Sequence, residues 1–153
     1  MKRRDQIKMT EDQIAAFLAA GQDLQVASIN ADGTPHLVTM WFVVRDGQIR
    51  FWTYGKSQKI VNLHRDPRIS VLVTTGDTYE ELKGVSVSGR AELVDDDTER
   101  ARFAEEIYEK QWGPITDDSM RAGIQGMGAK RTIVVVKPEH VMSWDHSKLS
   151  GGY

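Results

Sequence analysis

The 153-residue sequence contains no cysteine. That absence excludes a disulfide scaffold, a thiolate zinc site, an iron–sulfur cluster and a cysteine nucleophile, and makes a reducing cytoplasm the expected location. No sign of charge dominates: 20 Lys and Arg stand against 22 Asp and Glu, so no global field draws nucleic acid or an anionic membrane. No apolar run approaches the length of a membrane span. The basic start Met1-Lys2-Arg3-Arg4 leads into polar residues where a signal peptide needs an apolar stretch. A soluble, non-secreted protein is expected, with no nucleic-acid partner. Repeats, low-complexity tracts and interdomain linkers are missing too. The length and 40% hydrophobic content suit one domain over residues 1–153, able to bury roughly two thirds of its unfolded surface.

Motifs that carry chemistry unaided are also lacking. His36, His64, His140 and His146 show no metal-ligand spacing, so no metal site is expected. No serine lies in a Gly-x-Ser-x-Gly elbow, and no Gly-x-Gly-x-x-Gly follows a strand to hold a dinucleotide. Gly123, Gly126 and Gly128 have a different spacing and read as a joint between helix and strand.

What the chain does have is strand at hairpin spacing. Thr10 with Gln13 three residues on predicts a capped helix whose buried face is Ile14, Phe17 and Leu18, ended by Gly21. Strand pattern starts at Leu24 and runs to Ile29, turns at Asn30-Ala31-Asp32-Gly33, resumes as an apolar run from Leu37 to Val44, and turns again at Arg45-Asp46-Gly47. In Ile49 to Tyr54, Ile49, Phe51 and Thr53 face one way and Arg50, Trp52 and Tyr54 the other. Strands follow at Ile69 to Thr74, Val85 to Leu93 and Thr132 to Val136. Helices are predicted from Ser57, after Asp95-Asp96-Asp97, and over Thr116 to Ile124. This is a mainly β pattern: a small antiparallel barrel with helices packed outside.

At the junction after Gly55, Lys56, Ser57 and Lys59 can bring backbone amides, a hydroxyl and two cations to one point, as an anion site does; a solvated helix start is the alternative. Trp52 and Tyr54 precede it on one strand face. Trp41 is expected in the strand paired with theirs, so a planar ring can lie along the hairpin with its phosphate at the helix start. Core packing is the alternative for each aromatic. With no nucleophile or metal in the chain, reactivity falls to a borrowed cofactor.

The sequence from Asp32-Gly33-Thr34-Pro35-His36 through Met40-Trp41-Phe42-Val43, Ile49-Arg50-Phe51-Trp52-Thr53, Lys56-Ser57-Gln58-Lys59, Asn62-Leu63 and Asp66-Pro67-Arg68 to Val85–Ala91 resembles the pyridoxamine 5′-phosphate oxidase-like split β-barrel flavoproteins. Within them it is most similar to the actinobacterial deazaflavin-dependent oxidoreductases of the B branch, which use coenzyme F420. The resemblance extends to Ser143-Trp144-Asp145-His146-Ser147-Lys148-Leu149 and the glycine-rich end. It implies a Greek-key split barrel of the FMN-binding type and a homodimer with cofactor sites across the interface. It also implies phosphate recognition at Lys56, Ser57 and Lys59, and a ring bordered by Val38, Thr39 and Met40 and by Phe51, Trp52 and Thr53. Trp144 and Lys148 are implied to approach the partner's cofactor. The implied reaction is hydride transfer from reduced coenzyme F420 to an electrophilic small molecule, with FMN as the alternative cofactor and a non-catalytic flavin, deazaflavin or haem binder as the alternative function. No match to the substrate-phosphate residues of the vitamin-processing enzymes is present, so pyridoxamine phosphate is not the expected substrate. Arg50, Arg65, Lys130 and Arg131 are candidates for the acidic tail of the deazaflavin. No catalytic residue is assigned: His36, Tyr153 and water are all candidates for proton delivery.

Overall fold

A computed structural model of the chain describes residues 1–149. Seven strands, β1 (Asp23–Ile29), β2 (Pro35–Trp41), β3 (Val43–Arg45), β4 (Gln48–Tyr54), β5 (Arg68–Thr75), β6 (Lys83–Val94) and β7 (Arg131–Asp145), form one antiparallel sheet. Their order is β2-β1-β5-β6-β7-β4-β3. The helices are α1 (Arg3–Gln6), α2 (Glu11–Ala20), α3 (Gln58–Arg65), α4 (Asp97–Trp112) and α5 (Asp118–Gly126). Among the described residues no helix is long and apolar enough to cross a membrane.

Chain connectivity closes this sheet. Its two edge strands, β2 and β3, are joined by Phe42 alone, so the sheet must curl until its edges lie side by side. The predicted continuous run Leu37–Val44 is therefore two strands that break at Phe42, whose ring is fully buried. The two halves pair with different neighbours, Pro35–Trp41 with β1 and Val43–Arg45 with β4. This corrects the expected pairing of Trp41: it stands opposite Asp23 on β1, not opposite the strand of Trp52 and Tyr54. A run of apolar residues with no turn signal does not reveal a strand that changes partners midway.

The local signals that did mark turns and caps hold. Thr10 and Gln13 form a reciprocal capping box on α2, and Asp96 caps α4 by accepting from the Glu99 amide. Asp46 and Gly47 both take positive φ, 53° and 74°, which suits the two-residue hairpin between β3 and β4. Ser57 precedes α3, but its hydroxyl makes no capping bond.

Two apolar clusters share the sheet. Phe51 and Ile49 of β4 fill the barrel with Leu24, Val26, Val71 and Val134, and α3 closes it with Ile60 and Leu63. On the outer face Trp52, Ile133 and Val135 pack against Phe103 and Ile107 of α4. Thr132–Val136 is buried on both faces, which is why it reads as an unbroken apolar run. Strand β7 continues well past that run to Asp145, pairing with β6 from Val94↔Ile133 to Lys83↔Asp145 across an irregularity at Ser88/Gly89.

Candidate functional site

Closure leaves the barrel split. Among the described residues, strand β2 pairs only with β1, and β3 pairs with β4 only over Gln48–Arg50, so Phe51–Tyr54 is laddered to β7 on one side and to no strand on the other. The free edges of β2 and of Phe51–Tyr54 flank the split. A barrel normally removes such edges, so exposed amides and carbonyls left along one are free to bind something else. The segments 38–40 and 51–53, named from the family resemblance, lie along these two edges. Phe51 is fully buried, so it offers a ligand only its backbone, while Val38 is partly buried against the core.

A cleft of about 350 Å³ occupies this gap. Thr39, Met40 and Trp41 line its β2 side, Trp52 its β4 side, and Ile107 and Trp112 of α4 its roof; Asp23, Met127 and Arg131 complete it. Trp52 is mostly core, 7% exposed and 4.9 Å from the Phe103 ring, yet it still reaches the cleft. Trp41, despite its different strand pairing, faces the same cavity, so it meets Trp52 there by curvature and not by a shared ladder, whereas Tyr54 lines the neighbouring hollow and not this cleft. Arg131 stands opposite Tyr54 in the β4–β7 register. Its guanidinium carbon lies 4.8 Å from the Trp52 ring centroid and 4.6 Å from that of Tyr54, with Nε buried and without a hydrogen-bond partner among the described residues.

At the end of β4 the predicted anion triad divides. Lys59 Nζ donates to Thr53 Oγ1 at 3.0 Å, and the Thr53 and Ser57 hydroxyls are 3.4 Å apart. Burial pushes the Lys59 ammonium down from its ordinary value. Among the described residues, this cation partly withdrawn from water is answered by a hydroxyl. Lys56 does not join this group. It is exposed and lines a separate hollow of about 600 Å³ with Tyr54, Gly55 and Lys130. Thr53 thus belongs with the anion cluster, a role its strand position did not reveal.

The other candidates are scattered. Trp144 lies across β6, packed so closely on Gly84 that a Cβ there would come within 2.1 Å of the indole. Lys148 Nζ donates to Gln13 Oε1 at 2.7 Å and to the Lys8 carbonyl, tying the two ends of the chain together. Trp144 lies eleven positions along β7 from Ile133, the partner of Trp52, which is roughly 35 Å of strand. Neither Trp144 nor Lys148 lines the cleft. Arg65 serves the Ile29 carbonyl and Asn62, away from the cleft, and Arg50 does not line it. Of the four tail candidates, only Lys130 and Arg131 border the two hollows. His36 sits on β2 with Nδ1 buried and unpartnered among the described residues, and Tyr153 lies outside them. Among the described residues no group of three His, Asp or Glu side chains is arranged to hold a metal ion. Sequence reading missed Trp112 and Asp23. The only signal for Trp112 was a tryptophan placed just before the helix-ending Gly113-Pro114.

Comparison with known proteins agrees with this architecture. The structure is similar to that of the conserved hypothetical protein Rv2991 from Mycobacterium tuberculosis, at 40% identity and TM-score 0.91, covering 100% of this chain and 98% of the other. It is similar to an F420 reductase at 26% identity and TM-score 0.63, covering 82% and 93%. The fold is shared with HutZ, a haem storage protein from Vibrio cholerae, at 17% identity and TM-score 0.68, covering 92% and 99%. No curated protein matches the sequence. Residues 10–145 match the family model described as pyridoxamine 5′-phosphate oxidase, and the chain, a split β-barrel with free strand edges around an aromatic cleft, belongs to that family.

Proposed function

We propose that this protein is a coenzyme F420H2-dependent reductase that transfers a hydride to an electrophilic small molecule, working as a cytoplasmic homodimer with its cofactor sites at the interface. The observation that carries the reading is the alignment of three features along β4: a free backbone edge, an aromatic cleft, and an uncompensated cation with two hydroxyls at the strand's end. A flat heterocycle with polar edges and a phosphate at one end matches that sequence of features, and the similarity to an F420 reductase favours the deazaflavin.

When bound, the reduced deazaflavin supplies a hydride. The chain's own contribution is placement. Lys59, Ser57 and Thr53 hold the phosphate through charge-assisted and hydroxyl hydrogen bonds. The backbone of 38–40 and 51–53 holds the polar edges of the ring, and Trp52 with Ile107 keeps water from one side of it. Fixing donor and acceptor in this way lowers the barrier by proximity and not by acid–base chemistry of a side chain. Proton delivery is left to water.

The second reading is an FMN-dependent oxidoreductase of the same fold, because either cofactor carries a phosphate that the Thr53–Ser57–Lys59 cluster would hold. Titrating the purified protein with oxidised coenzyme F420 and with FMN, each followed by its own fluorescence polarisation, separates them. Tighter binding of coenzyme F420 is expected; preference for FMN overturns the assignment, and binding of neither moves the protein towards haem or another ligand.

A further inference from the structure

Helix α3 reaches in two directions. At its start, Lys59 Nζ meets Thr53 of β4 beside the Ser57 hydroxyl, while the body of the helix packs on β1. Among the described residues Ser57 gives no side-chain cap, so the first turn lacks the usual local fastening. Asn62, one turn further on, supplies another.

Asn62 is fully buried between Ile60 and Leu63, on the face of α3 that closes the barrel. Its Nδ2 donates to Ser28 Oγ at 3.1 Å and to Asn30 Oδ1 at 3.0 Å. Its Oδ1 accepts from Gln58 Nε2 at 2.8 Å and from Arg65 at 3.3 Å, and Arg65 also donates to the Ile29 carbonyl. Both donors and both lone pairs of the amide are thus used. Gln58 lies between Ser57 and Lys59 in the chain, so one relay of hydrogen bonds runs from the anion cluster to residues 28–30 at the end of β1.

Those residues in turn set β2. The Asn30 amide donates to the Thr34 carbonyl at 2.9 Å and its Nδ2 to Thr34 Oγ1 at 3.2 Å, directly before β2 begins at Pro35. Ser28 stands opposite His36, two residues before the free edge of 38–40. An apolar side chain at 62 would fill the same space, but burial has no direction and would not fix α3 along β1. A fully satisfied polar network does.

We propose that Asn62 is a positioning residue that sets the spacing between the anion cluster and the β2 edge, and so selects a cofactor whose phosphate lies at one fixed distance from its ring. Two groups joined in one ligand gain from each other only when their sites match that separation. Losing Asn62 should therefore cost joint binding and spare binding of the ring alone. That the spaced ligand is a deazaflavin or flavin rests on the proposed function; the fastening of α3 does not.

The test compares full-length wild type with Asn62→Ala and Gln58→Ala, which leave Thr53, Ser57 and Lys59 in place. Without ligand, hydrogen exchange of the Ile60 and Val61 amides, both donating to the Ser57 carbonyl at 3.1 Å, is expected to quicken about ten-fold in Asn62→Ala and about three-fold in Gln58→Ala. In Gln58→Ala, an exposed position, the β6–β7 amides should exchange as in wild type. In polarisation titrations, affinity for coenzyme F420 should fall by similar factors, about ten-fold and about three-fold, while the ribityl deazaflavin that lacks the phosphate binds all three proteins equally. FMN and riboflavin give the same comparison if wild type prefers the flavin. Unchanged exchange at Ile60 and Val61 in Gln58→Ala overturns the inference, and that variant decides it if Asn62→Ala does not fold. Equal losses for the cofactor and its phosphate-free form also overturn it, since they mark a role in the fold alone. If wild type binds neither cofactor, the proposed function fails and exchange alone decides the role of Asn62.

Discussion

The β6–β7 ladder and the split between β2 and β4 are built from the same kind of strand, yet they use their backbones in opposite ways. Along β6–β7 the amides and carbonyls are spent on each other from Lys83↔Asp145 to Val94↔Ile133. Close packing reinforces that seam: a Cβ on Gly89 would sit 1.9 Å from the Lys137 carbonyl oxygen, and Gly84 carries Trp144 directly on its backbone. At the split, Phe51–Tyr54 has, among the described residues, a strand on one side only, and the nearby Lys59 ammonium donates to a hydroxyl. Groups left unsatisfied by folding are where a ligand gains most from binding, because satisfying them costs no native contact. The first region should therefore govern stability and the second affinity.

That division fails if either region does the other's work. The largest effect is expected for Gly89→Ala, which pushes backbone against backbone in the ladder. It should lose on the order of 3 kcal/mol in denaturant unfolding while its folded fraction keeps wild-type affinity for the deazaflavin. Next comes Lys59→Ala, expected to cost about 2 kcal/mol of cofactor binding in a polarisation titration, since it removes a charge-assisted contact. Its melting temperature should not fall, because the ammonium is held partly out of water without a counter-ion. Lys56→Ala, at an exposed position in the neighbouring hollow, should cost about 1 kcal/mol of binding or less. The smallest effect concerns acid. Arg45 donates to Glu99 at 2.6 Å and holds its carboxyl below the ordinary 4.5, against the opposing effect of burial. The bridge therefore adds stability above about pH 4.5 and loses it as pH falls through the lower folded-state value. Glu99→Gln should be less stable than wild type at neutral pH, and the two unfolding curves should converge in acid.

Much of the scaffold was legible because its signals are local. Thr10 and Gln13, Asp96, and the Asp46-Gly47 turn each specify their geometry within four residues, and the alternation of Ile49 to Tyr54 assigned both faces of β4 correctly. The exchange of partners at Phe42 was not legible. It depends on closure of the whole sheet, and nothing between Leu37 and Val44 resembles a turn. The site divides along the same line. Lys59 and Ser57 could be singled out as candidates because they sit near one another in sequence. The pairing of Thr53 with Lys59, the stacking of Arg131 on Trp52 and Tyr54, and the meeting of Trp41 with Trp112 required distant segments to be placed. The family resemblance supplied segments 38–40 and 51–53; their unpaired edges give that correspondence a physical reason.

The most direct test of the central claim is backbone amide hydrogen exchange with and without oxidised coenzyme F420. The split is expected to respond: amides within 38–40 and 51–53 that face the gap should become protected on binding, while β6–β7 exchanges slowly and equally in both states. Protection spread over β6–β7, with residues 38–40 and 51–53 unchanged at saturating ligand, would contradict the assignment of the split as the binding site.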